Sequence, residues 1–148
     1  MQKITTFLTF NDQAEEAAKL YTSIFKNSKI TWTTPGPDGK VMWASFTIDG
    51  QEFYALNGGP TFQFAEGISL FVTCEGQDEV DDLWEKLTAD GGEPGNCGWL
   101  KDKFGVSWQI IPTALNRLLG DPDQARAGRV MQAMLQMHKI DIAGLEAA

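Results

Sequence analysis

Hydrophobic and polar positions fall along the chain in an order of elements that occurs twice. Ile4 to Phe10 (ITTFLTF) is rich in β-branched and aromatic residues and predicts a strand, after which Asn11-Asp12 offers capping side chains for a helix beginning near Gln13. Within that helix Ala14, Ala17, Ala18, Tyr21, Ile24 and Phe25 recur at helical spacing, while Glu15, Glu16 and Lys19 take the other side. The apolar stripe is expected to lie on a sheet.

Three short strands are predicted next, Ile30–Thr34, Val41–Ile48 and Glu52–Leu56. They are separated by Pro35-Gly36-Pro37-Asp38-Gly39 and by Asp49-Gly50, the second a strong hairpin signal between β-rich runs. After the break at Gly58-Gly59-Pro60 the order restarts: Ile68–Cys74 as a strand, then Asp78–Ala89 as a helix closed by Gly91-Gly92. Strands around Glu93–Cys97, Trp99–Asp102 and Val106–Ile111 follow, with Phe104-Gly105 as a turn. An offset of 63 lays Leu8 on Phe71, Glu16 on Glu79, Leu20 on Leu83, Tyr21 on Trp84 and Ile24 on Leu87. The sequence thus reads as a weak internal duplication of one β-α-β-β-β unit.

From Pro112 the pattern turns helical. Asp121-Pro122-Asp123 suits a helix start, Val130, Met131, Met134, Leu135 and Met137 form an apolar stripe, and Asp141–Ala147 predicts a last short helix. This tail has no counterpart in the first half and is expected to pack on the domain or on a second subunit, its methionines serving as adaptable filling.

Charge and length narrow the function classes. Twelve Lys and Arg against 20 Asp and Glu give a net charge of -8, the wrong sign for a surface that neutralises phosphates, so nucleic acid is not an expected partner. No stretch approaches the roughly 18 apolar residues of a membrane span. The opening residues lack the basic segment and apolar run of a secretion signal, which makes a cytoplasmic protein the expectation. The two cysteines, Cys74 and Cys97, are accordingly expected as free thiols.

Few residues offer chemistry. His138, the one histidine, reads as a basic residue near the end of the tail helix, and a nucleophile-histidine arrangement would need the tail to fold back. The cysteines stand 23 residues apart with no CxxC and no nearby histidine, which excludes a structural zinc site. Cys97 is the more exposed thiol on this reading, and a passive hairpin residue. Most carboxylates fall on the solvent faces of the helices. The glycines of Gly91–Gly98 follow a helix instead of joining a strand to one, so neither a phosphate cradle nor an S-adenosylmethionine site is implied. Aromatics gather on the hairpin strands, among them Trp32, Trp43, Tyr54, Trp99 and Trp108, where they either wall a cavity or fill the core. On the last strand Ser107, Gln109 and Ile111 oppose Trp108 and Ile110, which makes Gln109 the leading polar candidate.

The segments Phe7-Leu8-Thr9-Phe10-Asn11, Glu16-Ala17-Ala18 with Tyr21 and Phe25, Gly36-Pro37-Asp38-Gly39-Lys40, Cys97 through Gln109 (CGWLKDKFGVSWQ) and Lys139-Ile140-Asp141-Ile142 resemble the PhnB-like family. That family, often labelled a 3-demethylubiquinone-9 3-methyltransferase domain, belongs to the vicinal oxygen chelate superfamily with glyoxalase I, extradiol dioxygenases and bleomycin-resistance proteins. The resemblance implies an α+β fold of paired βαβββ units forming a curved, partly open barrel, with a C-terminal helical extension. It sets the fold domain at 1–115, with repeats at about 1–60 and 66–115, and the extension at 116–148.

Metal-dependent members hold a divalent ion through His, Gln or Glu on the first and last strands of each half. Here those positions match Thr5 or Thr6 and Ser69 on the opening strands, and Tyr54 or Ala55 and Gln109 on the closing ones. Gln109 alone among them is a plausible ligand, and one neutral amide cannot hold a transition metal tightly. The resemblance therefore implies a metal-free, cofactor-free member that sequesters a small molecule, with Thr6, Trp43, Tyr54, Ser69, Trp99 and Gln109 binding it. The alternatives are a metal-dependent lyase or dioxygenase using Glu52 with Gln109, the methyltransferase of the family label, which lacks its cofactor motif, and an interaction module. A homodimer is expected from the habit of the superfamily.

Overall fold

A computed structural model describes residues 2–148; Met1, the first residue of the expected 1–115 domain, lies outside them. The chain divides into two compact units, one ending at Gln63 and the other spanning Phe64–Ala148.

In the first unit β1 (Thr6–Phe10) leads into helix α1 (Ala14–Ile24), followed by β2 (Lys29–Pro35), β3 (Val41–Ile48) and β4 (Gln51–Asn57). The sheet order is β1-β4-β3-β2, with β1 parallel to β4 and the other pairs antiparallel. One sheet face, carrying Leu8, Phe10, Ala44, Phe46, Phe53 and Ala55, is buried, as are Ala14, Ala17, Ala18 and Tyr21 of α1. Tyr21 meets Phe46 with ring centroids 6.3 Å apart, so this face and the helix stripe form one core. Asp49 and Gly50, with φ of 50° and 78°, turn β3 into β4 as the Asp-Gly pair predicts.

The start of α1 departs from expectation. Neither Asn11 nor Asp12 caps it; Gln13 occupies the cap position without a side-chain bond, and the amide of Ala14 donates to Asn57 Oδ1 at 2.8 Å. A residue at the end of β4 thus replaces a local cap, satisfying a helix N–H that the chain next to it leaves open.

The second unit repeats the order with β5 (Leu70–Cys74), α2 (Gln77–Thr88), β6 (Glu93–Pro94), β7 (Trp99–Lys101) and β8 (Ser107–Pro112) in the sheet order β5-β8-β7-β6. β6 and β7 are much shorter than β2 and β3. The amide of Cys97 donates to Met137 O and that of Gly98 to His138 O, both at 2.8 Å, so the tail takes backbone bonds where the hairpin would otherwise extend.

Helices α3 (Thr113–Leu119), α4 (Gln124–Leu135) and α5 (Ile142–Glu146) complete this unit around Leu115, Leu118, Val130, Ile140 and Leu145. Asp123 caps α4 through Ala125 N and Arg126 N, as the Asp-Pro-Asp pattern predicts. The methionine stripe packs only in part: Met134 and Met137 lie against the core, whereas Met131 and Leu135 are exposed.

Candidate functional site

Strand register decides which side chains share a face, because neighbours across a ladder point the same way and successive residues point oppositely. In the first unit Phe7 stands opposite Tyr54, and Tyr54 opposite Ser45; Trp43 lies two residues before Ser45 and shares its face. This is the face away from α1. Phe7 meets Trp43 and Tyr54 edge to face, with centroids 5.3 and 6.4 Å apart, and Trp43 and Tyr54 meet at a tilt of 38° with centroids 5.0 Å apart. Trp43 Nε1 donates to Ser45 Oγ at 2.9 Å, which fixes the indole within the cluster.

Thr6 does not join Trp43 and Tyr54. Its register partner is Phe53, so it stands on the face that packs against α1. The residue that meets Trp43 and Tyr54 from β1 is Phe7, which is 46% exposed and lies outside the expected site. Alternation puts Phe7 on the same side as Thr5 and Thr9, and a large aromatic ring between two polar residues was the available signal.

The second unit repeats this register with different chemistry. Phe71 stands opposite Gln109, and Gln109 opposite Trp99. Gln109 Nε2 donates to Ser69 Oγ at 2.9 Å. Three residues expected at the site are thereby brought together, Trp99 and Gln109 on adjacent strands and Ser69 just ahead of β5.

Beside them lies an open cleft of about 570 Å³, lined among others by Glu66, Glu93, Cys97, Trp99, Lys101 and Ser107. Such a volume falls in the usual range of small-molecule pockets. Lys101 forms an ion pair with Glu66, whose hydrogen bond and charge hold the Glu66 carboxyl below its ordinary range and push the ammonium of Lys101 up. Both side chains are solvated, so this pair neutralises charge more than it adds stability.

Both thiols are free, Cys74 buried and Cys97 half-buried, which is the expected order of exposure. Burial, reinforced by the charge of Glu79, pushes the Cys74 thiol up to about 12. His138 departs from expectation, since it does not end a helix: α4 stops at Leu135, and the ring Nδ1 lies 2.8 Å from Gly95 O. The chain leaves the helix early because the backbone at Met137 and His138 pairs with Cys97 and Gly98.

The positions expected from the resemblance to carry metal ligands offer a poor donor set. Ser69 and Gln109 are neutral and bonded to each other, Tyr54 sits in the aromatic cluster, and Ala55 is buried without a donor. Among the described residues no three His, Cys, Asp or Glu side chains gather as metal ligands. Hydroxyls and one amide do not supply the anionic or imidazole donors that a transition metal needs.

The family model described as 3-demethylubiquinone-9 3-methyltransferase matches residues 2–111. A PhnB protein from Bacillus cereus is 40% identical, with 76% of this chain and 100% of that one covered and a TM-score of 0.69. A protein from Pseudomonas aeruginosa is 18% identical over 76% of this chain and 98% of its own, with a TM-score of 0.59. The fosfomycin resistance protein FosX from Listeria monocytogenes, in complex with Mn(II) and sulfate, is 19% identical over 73% of this chain and 90% of that one, with a TM-score of 0.54. At that identity the likeness shows a shared fold, the expected one of glyoxalase and resistance proteins. No curated protein matches the chain.

Proposed function

The chain belongs to the 3-demethylubiquinone-9 3-methyltransferase family, PhnB proteins included, and from that premise we propose that it is a small-molecule-binding protein that works without a bound metal. The observation that carries the reading is the pairing of Gln109 with Ser69 beside an open cleft walled by Trp99. The position where a superfamily metal ligand is expected holds a neutral amide whose N–H is already engaged. Trp99 supplies a flat apolar surface in that cleft on which an organic ligand packs, and the first unit offers an aromatic surface of its own in Phe7, Trp43 and Tyr54.

The methyltransferase description has little support in the residues, since no glycine-rich strand-to-helix turn offers a nucleotide site. The manganese of the Listeria protein favours a second, metal-dependent reading, which requires donors beyond Gln109. We further infer a cytoplasmic homodimer. Among the described residues no helix is long and apolar enough to cross a membrane.

The test is a small-molecule screen by protein-observed NMR on chelator-treated full-length protein. Hits are expected to shift the Trp99 and Gln109 resonances and to survive the chelator unchanged. Hits that vanish with chelator and return with manganese would instead establish the metal-dependent reading. A sedimentation mass of one chain would contradict the dimer.

A further inference from the structure

Glu93, Lys101 and Ser107 stand in register across β6, β7 and β8 and form a polar row on one face of the second sheet, with Trp99 one pleat along on the same face. All four line the cleft of about 570 Å³, together with Glu66. Lys101 is paired with Glu66 and also feels the charge of its register neighbour Glu93, so two carboxylates face one ammonium and the lining carries one negative charge in excess.

Ser107 adds a buried polar group to this lining. It is only 3% exposed, lines the cleft, and its hydroxyl has no hydrogen-bond partner among the described residues. Every fully enclosed side-chain N or O among those residues does have a partner, so the Ser107 hydroxyl is one that opens onto the cleft. A hydroxyl in so buried a residue is costly to leave unmatched unless water or a ligand completes it. The excess carboxylate asks for a positive charge, the Trp99 face takes a cation or a flat apolar group, and the Ser107 hydroxyl can accept from or donate to a polar group of the ligand. An anion, by contrast, would have to displace Glu66 from Lys101 and approach Glu93.

We propose that this cleft binds a small protonated amine carrying a flat apolar group, with its ammonium at the carboxylate of Glu93, its apolar part against Trp99 on the middle strand, and a hydrogen-bonding group at its far end on the Ser107 hydroxyl, about two strand spacings from Glu93. The proposal rests on the small-molecule reading above and names the ligand class for it. The net charge of -8 on the chain adds a long-range bias of the same sign.

Three probes of one shape and different charge test it: tyramine (cationic), tyrosol (neutral) and 4-hydroxyphenylacetate (anionic), each titrated at millimolar concentration into 15N-labelled full-length protein. Tyramine is expected to shift the amides of Asn96, Lys101 and Ser107 and the Trp99 indole N–H, at least about tenfold more tightly than either analogue. Ser107→Ala and Glu93→Gln, both checked for an unchanged melting temperature, should each weaken tyramine roughly fivefold or more. Equal or tighter binding of tyrosol or 4-hydroxyphenylacetate at the same residues overturns the amine assignment and leaves the small-molecule reading standing. Absence of any shift with tyramine overturns it as well, and the broader screen then decides the small-molecule reading separately.

Discussion

Gln109 and Ser69 are joined by a 2.9 Å hydrogen bond from Nε2 to Oγ, which ties the last strand of the second sheet to the residue just ahead of β5. The bond gives the amide a structural role, because it holds a polar side chain in fixed orientation beside Trp99. Replacing Gln109 with Ala is expected to cost about 1 kcal/mol of stability in urea denaturation, the ordinary worth of one partly solvated bond. A loss several times larger would mean that the amide holds more than this one partner.

Asp102 has a heavier structural role. Its Oδ1 accepts from Phe104 N at 2.9 Å and Val106 N at 3.0 Å, and its Oδ2 accepts from Trp108 Nε1 at 2.9 Å. Asp102, 3% exposed, closes the β7–β8 turn and anchors the indole of Trp108, the largest fully buried side chain among the described residues. Asp102→Ala strands three donors, two of them buried, so a loss of at least about 3 kcal/mol is expected in the same measurement. A change below about 1 kcal/mol would show that the turn stands without it.

The two thiols should separate cleanly. Cys97 is expected to react with a maleimide or disulfide reagent in the native protein, and Cys74 only after unfolding, because burial holds Cys74 protonated. Raising a thiol from its ordinary 9.0 to about 12 favours the fold while the unfolded thiol is still protonated, and that advantage fades as pH climbs through this interval. Stability is therefore expected to fall from pH 9 towards 12 more steeply in the native sequence than in Cys74→Ala. Equal slopes would contradict the assignment.

The repeat, the core face and most elements are legible in the sequence because they depend on local periodicity. Val41–Ile48 and the Asp49-Gly50 turn appear where alternation and turn chemistry put them. What is not legible depends on partners far along the chain. The cap on Ala14 comes from Asn57, a residue 43 positions away that no local pattern announces. Alternation in Ile4–Phe10 shows two faces but not which one meets α1, so the sequence puts Thr6 beside Trp43 where the fold puts Phe7. His138 reads as a helix end because nothing in its surroundings predicts that the backbone leaves α4 to pair with Cys97 and Gly98.

That tail contact is itself testable. Gly98 has a φ of 87°, and a Cβ built on it would stand 2.7 Å from Ile111 Cδ1 and 3.1 Å from Ile140 Cγ1. Gly98→Ala therefore combines a backbone penalty with a clash at the tail, and we expect a loss of about 2 kcal/mol or more. Hydrogen exchange should show the loss of protection concentrated at Ile140 and in α5. Protection unchanged there would place the tail contact outside the stability of this unit.

Metal content of the full-length protein, purified without chelators and measured by mass spectrometry of the elements, tests the metal-free reading most directly. Manganese, iron, nickel and zinc are all expected far below one equivalent per chain, with or without Gln109→Ala. About one equivalent of any of them, lost in Gln109→Ala, would contradict that reading and make Gln109 a ligand.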